Sequence, residues 1–390
     1  MVTVTREDVA TTLAELVKID SVNPSLVPGA AGETEIAAAI AARLRRTPGI
    51  EVQLQEVEPG RSNVIATYRG GPGRTLMLNG HTDTVGVTGM DDPFSGRIEG
   101  DKLHGRGSSD MKDGLAAAIV VLEKAAQAGN FPGTLIGTFV LDEEYASIGT
   151  EAICKEIDRW RPDACLVLEG TNFNIDIISK GYFAAEIETF GVAAHGSDYE
   201  NGVDAIAHMG RVIVAIEELG RDMLARPGHP ELGPSSIHLS VINGGREINT
   251  YPDYCIMQLE CRTMPGHSAE AVEAELQAVL DRLAAEDPTL KANLRVHFAR
   301  NPLNVDPQSE LVTLVSRIVE RERGVKPVLS GGAGWADAAM FNEYGVPAVI
   351  WGPGGEDAHG PNEYCDLATL EEFTRILYIT AEEFCRGSTQ

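Results

Sequence analysis

Apolar residues fall along the chain in two textures. Short continuous apolar runs, each closed by turn residues and followed by a helical pattern, recur through the first 180 residues and again after about residue 310; examples are 75–78, 134–141, 164–168 and 347–351. Runs of that kind predict strands buried on both faces of a mostly parallel sheet, with crossover helices between them. Residues 113–127 read as one such helix, with Asp113 near its start and Gly129 just past its end.

Between these halves strands at 182–189, 236–242 and 254–262 alternate polar and apolar positions, and helical stretches cover 203–219 and 269–285. The order strand, helix, strand, strand, helix, strand predicts a ferredoxin-like α+β unit. A chain of 390 residues exceeds what one core usually supports. The expectation is therefore an α/β domain from residues 1–178 and 299–390, with an α+β domain at 179–298 inserted through short hinges near Ser179 and Phe298.

Composition narrows the setting. No apolar run is long enough to cross a bilayer, and Met1 to Ala10 has no basic segment leading into an apolar stretch, so the expected location is the cytoplasm, without a membrane partner. The six cysteines, at 154, 165, 255, 261, 365 and 385, form no CxxC pair, which suits free thiols in a reducing compartment. A net charge of −26 would repel phosphate backbones and argues against a nucleic-acid partner. Carboxylates are also natural ligands for divalent cations, although most of this acidic excess serves solubility.

Candidate chemistry gathers where apolar runs end. In LMLNGHTDTV, His81 and Asp83 stand two apart beyond a strand, so both side chains point to one side; one could hold a metal while the other orients it, or they could be a hydrogen-bonded turn pair. Asp110, in LHGRGSSDMKDG, lies in a Gly/Ser-rich turn before a helix, where a capping aspartate is the plain alternative to a ligand. Asp142, Glu143 and Glu144 crowd like charge at the end of a buried strand, which a cation would relieve and a solvated turn would tolerate. Glu169 follows the strand ACLVL, and His359 lies in a Gly-rich loop after VPAVIW. All these positions lie beyond carboxyl ends of strands, where open parallel sheets bind ligands. Two imidazoles and three carboxylates, one of them bridging, would make two sites of mixed nitrogen and oxygen ligation.

The ordered motifs GHTDTV, GRGSSDMKDG, LDEE, LVLEG, VAAHGSDYENG and AHGPNE resemble the M20 metallopeptidase family of deacetylases, desuccinylases and carboxypeptidases, over nearly the whole chain. The resemblance implies a metal-dependent catalytic domain and an inserted lid or dimerisation domain. It makes His81 and Glu169 ligands of one ion, Glu144 and His359 ligands of the other, and Asp110 the bridge. Asp83 becomes the partner that orients His81, and Glu143 the general base. Zinc heads the expected metals, with cobalt or manganese able to substitute.

His195, in VAAHGSDYENG, matches the family histidine that reaches a neighbouring subunit's site and polarises the scissile carbonyl, which implies a homodimer through the inserted domain. Asn249 and Arg262 match positions that bind polar groups of the substrate, with a structural salt bridge as the alternative for Arg262. The loop SGGAGWADAAMF resembles the family's segment near the substrate carboxylate, but has Gly334 and Trp335 where many relatives have Ser or Thr; Trp335 either lines the specificity pocket or packs on the core.

The activity implied is hydrolysis, by metal-activated water, of the amide bond of an N-acyl amino acid or similar small carboxylate. Alternatives within the family are a carboxypeptidase or dipeptidase acting on short peptides, or a deformylase or carbamoyl amidohydrolase. Outside it stand a catalytically silent metal binder and a two-metal phosphoesterase, which would need cationic clamps for which only Arg106, Lys112 and Arg262 offer themselves.

Overall fold

The structure, a computed structural model, describes residues 2–332 and 334–387. In chain order its elements are α1 (Arg6–Val17), α2 (Thr34–Arg45), β1 (Ile50–Glu58), β2 (Arg61–Arg69), β3 (Thr75–His81), β4 (Arg97–Glu99), β5 (Lys102–His104), α3 (Lys112–Ala128), β6 (Thr134–Val140), α4 (Ile148–Lys155), α5 (Ile157–Trp160), β7 (Ala164–Val167) and β8 (Ile175–Ser179). There follow β9 (Gly181–Phe190), α6 (Ala205–Ala225), β10 (Ser236–Gly244), β11 (Tyr254–Thr263), α7 (Ala269–Glu286), β12 (Lys291–Arg300), α8 (Glu310–Arg323), β13 (Leu329–Gly332), α9 (Ala338–Glu343), β14 (Ala348–Ile350), β15 (Gly355–Glu356), β16 (Tyr364–Asp366) and α10 (Leu367–Arg386).

The chain divides into two compact units. The first comprises Met1–Ile177, Val305–Ser330 and Ala336–Gln390. Its main sheet runs β1-β2-β6-β3-β7-β14-β8-β13. At its centre β6, β3, β7 and β14 are mutually parallel, while the β1–β2 hairpin extends one side antiparallel. Every residue of β6, β7 and β14 is buried, as strands covered on both faces must be. A small antiparallel sheet, β15-β16-β5-β4, was not foreseen from the sequence, because its strands are only two or three residues long.

Helix α3 sets the geometry near the parallel strand ends. Gly129, at φ 68°, closes it in the left-handed conformation that favours glycine. At its start Gly114 allows a close approach, since a Cβ there would lie 2.2 Å from the Leu168 carbonyl oxygen. The helix is thus seated against the end of β7, one residue before Glu169.

The second unit is Ile178–Asn304 with Gly331–Trp335. Its sheet, ordered β10-β11-β9-β12, is antiparallel throughout, the ferredoxin-like arrangement expected of the order βαββαβ. Alternate residues of β9 and β11, including Phe183, Ile187, Met257 and Leu259, pack against Met209, Val212 and Ile216 of α6 and Val272, Leu276 and Leu280 of α7. The unit extends past the expected limit at residue 298, because β12 stays paired with β9 as far as Arg300 opposite Tyr182. It also takes in Gly331–Trp335, which no local pattern distinguishes from the surrounding α/β segment.

Candidate metal centre

In the first unit the carboxyl ends of β3, β6, β7 and β14 lead to His81, Glu144, Glu169 and His359, whereas Asp110 lies in the turn between β5, a strand of the small antiparallel sheet, and α3. His81 ends β3; its Nε2 lies 3.3 Å from Asp110 Oδ1 and 3.4 Å from Glu169 Oε1. His359 Nε2 lies 3.0 Å from Asp110 Oδ2 and 3.1 Å from Glu144 Oε2. Two groups result, His81–Asp110–Glu169 and Asp110–Glu144–His359, each with its donor atoms within 4.8 Å of one another. Asp110 belongs to both, with a different oxygen toward each histidine. Glu143 belongs to neither.

The electrostatics favour positive charge at this place. Burial pushes the Glu169 carboxyl up to about 7 against the pull of His81, with Asp110 and Glu144 adding repulsion. Burial also raises Glu143 well above the ordinary carboxylate value, and nearby Glu169, Asp337 and Glu144 add to that while His81 opposes it. Hydrogen bonds to Asp110 and Glu144 push His359 up to about 10. Crowded carboxylates that retain protons, beside imidazoles that gain them, form a donor set short of cations. Mixed imidazole and carboxylate ligation with a shared aspartate fits a pair of divalent ions.

The surrounding residues fix these side chains. Asp83 is fully buried and accepts from Asn23 Nδ2 at 2.8 Å and from the main-chain N–H groups of Glu143 and Glu144, each at 3.1 Å. Its carboxylate therefore shapes the turn that presents Glu143 and Glu144. The nearer partner of His81 Nδ1 is the main-chain oxygen of Asp83, at 2.9 Å, against 3.6 Å for its carboxylate. Burial would raise the Asp83 carboxyl, but His81 and the Asn23 and Glu143 donors bring it below the ordinary value.

Asn23 also donates to Asp142, at 3.1 Å, and Asp142 accepts from Arg61, itself paired with the buried Glu33. Asp337 lies buried beneath the site, accepting from Asn79 Nδ2 at 3.0 Å and Thr150 Oγ1 at 2.6 Å. Glu363 accepts main-chain N–H bonds from Gly107, Ser109 and Asp110. Sequence reasoning missed Asn23, Glu33, Arg61, Asp337 and Glu363. Two of these carried a usable signal: Glu363 as the acid that closes AHGPNE four residues after His359, and Asp337 as the acid within SGGAGWADAAMF.

Two of the three cations available to a phosphate clamp are otherwise engaged. Arg106 is buried against Glu363, and Lys112 is buried with Nζ donating to the carbonyls of Leu16 and Ile19.

In the second unit His195 and Asn249 lie on adjoining segments: His195 forms an isolated bridge with Thr250, and Gly196 N–H donates to the Asn249 carbonyl at 2.8 Å. His195 is exposed, with its Nδ1 2.8 Å from Ser197 Oγ and 3.3 Å from the Ser197 main-chain nitrogen. Arg262 pairs with Glu260 at 2.6 Å and stacks over Tyr182, the contacts of the salt-bridge alternative. Trp335 is half-buried with Nε1 donating to the Asn301 carbonyl at 3.0 Å, and Gly334 is exposed.

A histidine–carboxylate cluster beyond a parallel sheet, with one aspartate common to two ligand groups, is the arrangement of a metallohydrolase. The chain belongs to peptidase family M20/M25/M40, whose profile matches residues 77–383. It is 28% identical over 372 residues to N-formyl-4-amino-5-aminomethyl-2-methylpyrimidine deformylase from Halalkalibacterium halodurans, covering 86% of each chain. It is also 28% identical over 386 residues to acetylornithine deacetylase from Myxococcus xanthus, covering 96% of this chain and 97% of the relative. Its fold matches that of a dinuclear metal-binding M20 peptidase from Bacillus subtilis with a TM-score of 0.70 at 17% identity, covering 97% of both chains.

Proposed function

We propose that this hydrolase cleaves the amide bond of an N-acyl amino acid or a similar small carboxylate-bearing compound, with the ligand groups His81–Asp110–Glu169 and Asp110–Glu144–His359 each holding one divalent ion. The observation that carries the reading is the sharing of Asp110 between the two groups, while Glu143 stands beside them outside both. Zinc is the proposed metal, since imidazole and carboxylate ligands suit it. Bound ions supply Lewis-acid activation of the scissile carbonyl and of water.

Glu143, held by the Asp83 bond to its main-chain N–H, takes the proton of the attacking water and returns it to the departing nitrogen. Its buried setting raises it above the ordinary carboxylate range, the direction that suits a group which must hold a proton between accepting it and giving it up. His195, whose Nδ1 is engaged by Ser197, is assigned to the carbonyl oxygen as negative charge develops there. Asn249 and Arg262 are assigned to polar groups of the substrate, and the Gly334–Trp335 loop to its carboxylate end.

The inserted unit serves as lid and dimerisation domain, so that His195 acts in the site of a second copy. Support comes from its open edge: β10 ends the sheet, Val241 and Ile242 are about half exposed, and Ile248 is fully exposed. Val214 and Leu224 of α6 add exposed apolar surface to the same unit. A cytoplasmic location accords with six cysteines that are all free and buried.

The test is a panel of N-acetyl, N-succinyl and N-formyl amino acids beside dipeptides and a generic phosphate ester, assayed with added Zn2+, Co2+ or Mn2+. Turnover of one acyl class above the dipeptides is expected. Inactivity on every amide by protein carrying its metal contradicts the proposal.

A further inference from the structure

The Arg106–Glu363 ion pair is set apart by its burial, with side-chain exposures of 2% and 0%. Taking two charges out of water costs several kcal/mol per ion, so such a pair contributes little net stability and is better understood through the geometry it imposes. Both Glu363 oxygens are filled by N–H donors: Oε1 accepts from Ser109 at 2.9 Å and Asp110 at 3.2 Å, and Oε2 from Gly107 at 3.1 Å and from Arg106 Nη1. The carboxylate thus anchors the loop of Asp110 and has no free oxygen for a metal.

Arg106 extends the same anchor to a second loop. Its Nη2 donates to the carbonyls of His359, at 3.4 Å, and Gly360, at 3.2 Å, and its Nε to that of Gly86 at 3.1 Å. One ion pair therefore reaches the main chain of both Asp110 and His359. The other histidine needs no such device, because His81 is the last residue of β3 and is paired with Val140 of β6. His359 stands on a loop with φ 64°, its side chain 53% exposed. A non-glycine residue persists in that backbone region only where its surroundings impose it.

We infer that Arg106 and Glu363 are positioning residues that set the affinity of the Asp110–Glu144–His359 site, two of whose ligands stand on the clamped loops, more than that of the His81–Asp110–Glu169 site, which shares only Asp110 with them and takes His81 from the sheet. This rests on the ligand assignment proposed above. Outer partners of metal ligands typically change affinity about 10- to 100-fold when replaced. The effect here should fall unequally, more on the ion of His359 than on the ion of His81.

The test is zinc titration of the full-length metal-free protein by calorimetry, with metal content after dialysis at fixed free zinc and the visible spectrum of the Co2+ form. The variants are Glu363→Gln, Arg106→Lys and, for comparison, His359→Ala. Wild type should bind two ions per chain. Glu363→Gln, whose amide turns a donor toward Arg106 and the loop N–H groups, should weaken binding of the second ion at least about tenfold and of the first by clearly less. Arg106→Lys keeps a buried cation but cannot span the same three carbonyls, and should lie between. It also keeps the test readable if Glu363→Gln does not fold.

Two ions bound as in wild type by both clamp variants would overturn the inference. So would equal weakening of both sites in step with lowered stability of the metal-free chain, since that describes a general packing role. If His359→Ala itself binds two ions as tightly as wild type, it is the ligand assignment that fails.

Discussion

Replacing Asp83 by alanine should unsettle the turn that carries Glu143 and Glu144 more than the ring of His81. Three donors point at this carboxylate, from Asn23, Glu143 and Glu144. The Asn23 amide keeps a second acceptor in Asp142 at 3.1 Å, so two partly buried main-chain N–H groups lose their partner. At about 1–3 kcal/mol for each stranded donor, the loss is about 2–6 kcal/mol. With roughly 2 °C lost per kcal/mol in a chain of this size, the Tm of the metal-free protein should fall by about 4–12 °C. His81 retains its bond to the Asp83 carbonyl at 2.9 Å, so zinc affinity should drop toward the lower end of the usual 10- to 100-fold range. Thermal melts of the metal-free variant, followed by calorimetric zinc titration, read both quantities. A Tm within about 1 °C of wild type would refute the reasoning, because it would mean that those donors gain nothing from the carboxylate.

Arg61→Met should cost about 3–5 kcal/mol in chemical denaturation, because it strands the buried Glu33 and removes a cation from Asp142; a loss below about 1 kcal/mol would contradict that role. Gly114→Ala should lower both stability and metal content, since its Cβ would sit 2.2 Å from the Leu168 carbonyl and push α3 away from the strand end beside Glu169; unchanged melting and zinc content would oppose it. Burial, and after it Arg211, holds the His208 imidazole below its ordinary value, with Asp287 opposing. The unfolded chain then takes up this proton first as pH falls, so the contribution of neutral His208 is present above its unfolded value and lost on acidification. His208→Gln should therefore show a shallower loss of stability than wild type between pH 7 and 5.5, read by urea denaturation at each pH; equal slopes would count against it. Chelation should destabilise the protein by about 4 kcal/mol relative to zinc held at about 1,000 times its dissociation constant, and an unchanged Tm on adding chelator would argue against a bound metal.

The sequence made the strand ends legible because several candidate ligands follow apolar runs, and parallel strands deliver such positions to one edge. His81, Glu144 and Glu169 belong to this kind, and the structure gathers them with Asp110 and His359. What stayed hidden is the machinery that joins loops remote in sequence. Arg106 and Glu363 are 257 positions apart, and Asn23 is 119 from Asp142, so no local pattern marks either pair. Arg106 and Lys112 read as available cations from composition alone, yet both are buried and hydrogen-bonded. Asp83 read as the orienter of His81; its main-chain oxygen lies 2.9 Å and its carboxylate 3.6 Å from His81 Nδ1, and the bonds the carboxylate accepts from Asn23 and from the main chain of Glu143 and Glu144 were not legible in the sequence. The inserted unit was visible as a change from continuous to alternating apolar pattern, but its far boundary was not, since β12 outlasts the alternation that announced it.

Metal content and turnover measured on the same preparation of Glu143→Ala test the division between residues that hold metal and the residue that moves protons. Two ions per chain, as in wild type, with turnover lowered about 10²- to 10⁴-fold, is the expected result. A variant that purifies empty or half-loaded would make Glu143 a ligand, and one that keeps wild-type turnover would remove it from the chemistry.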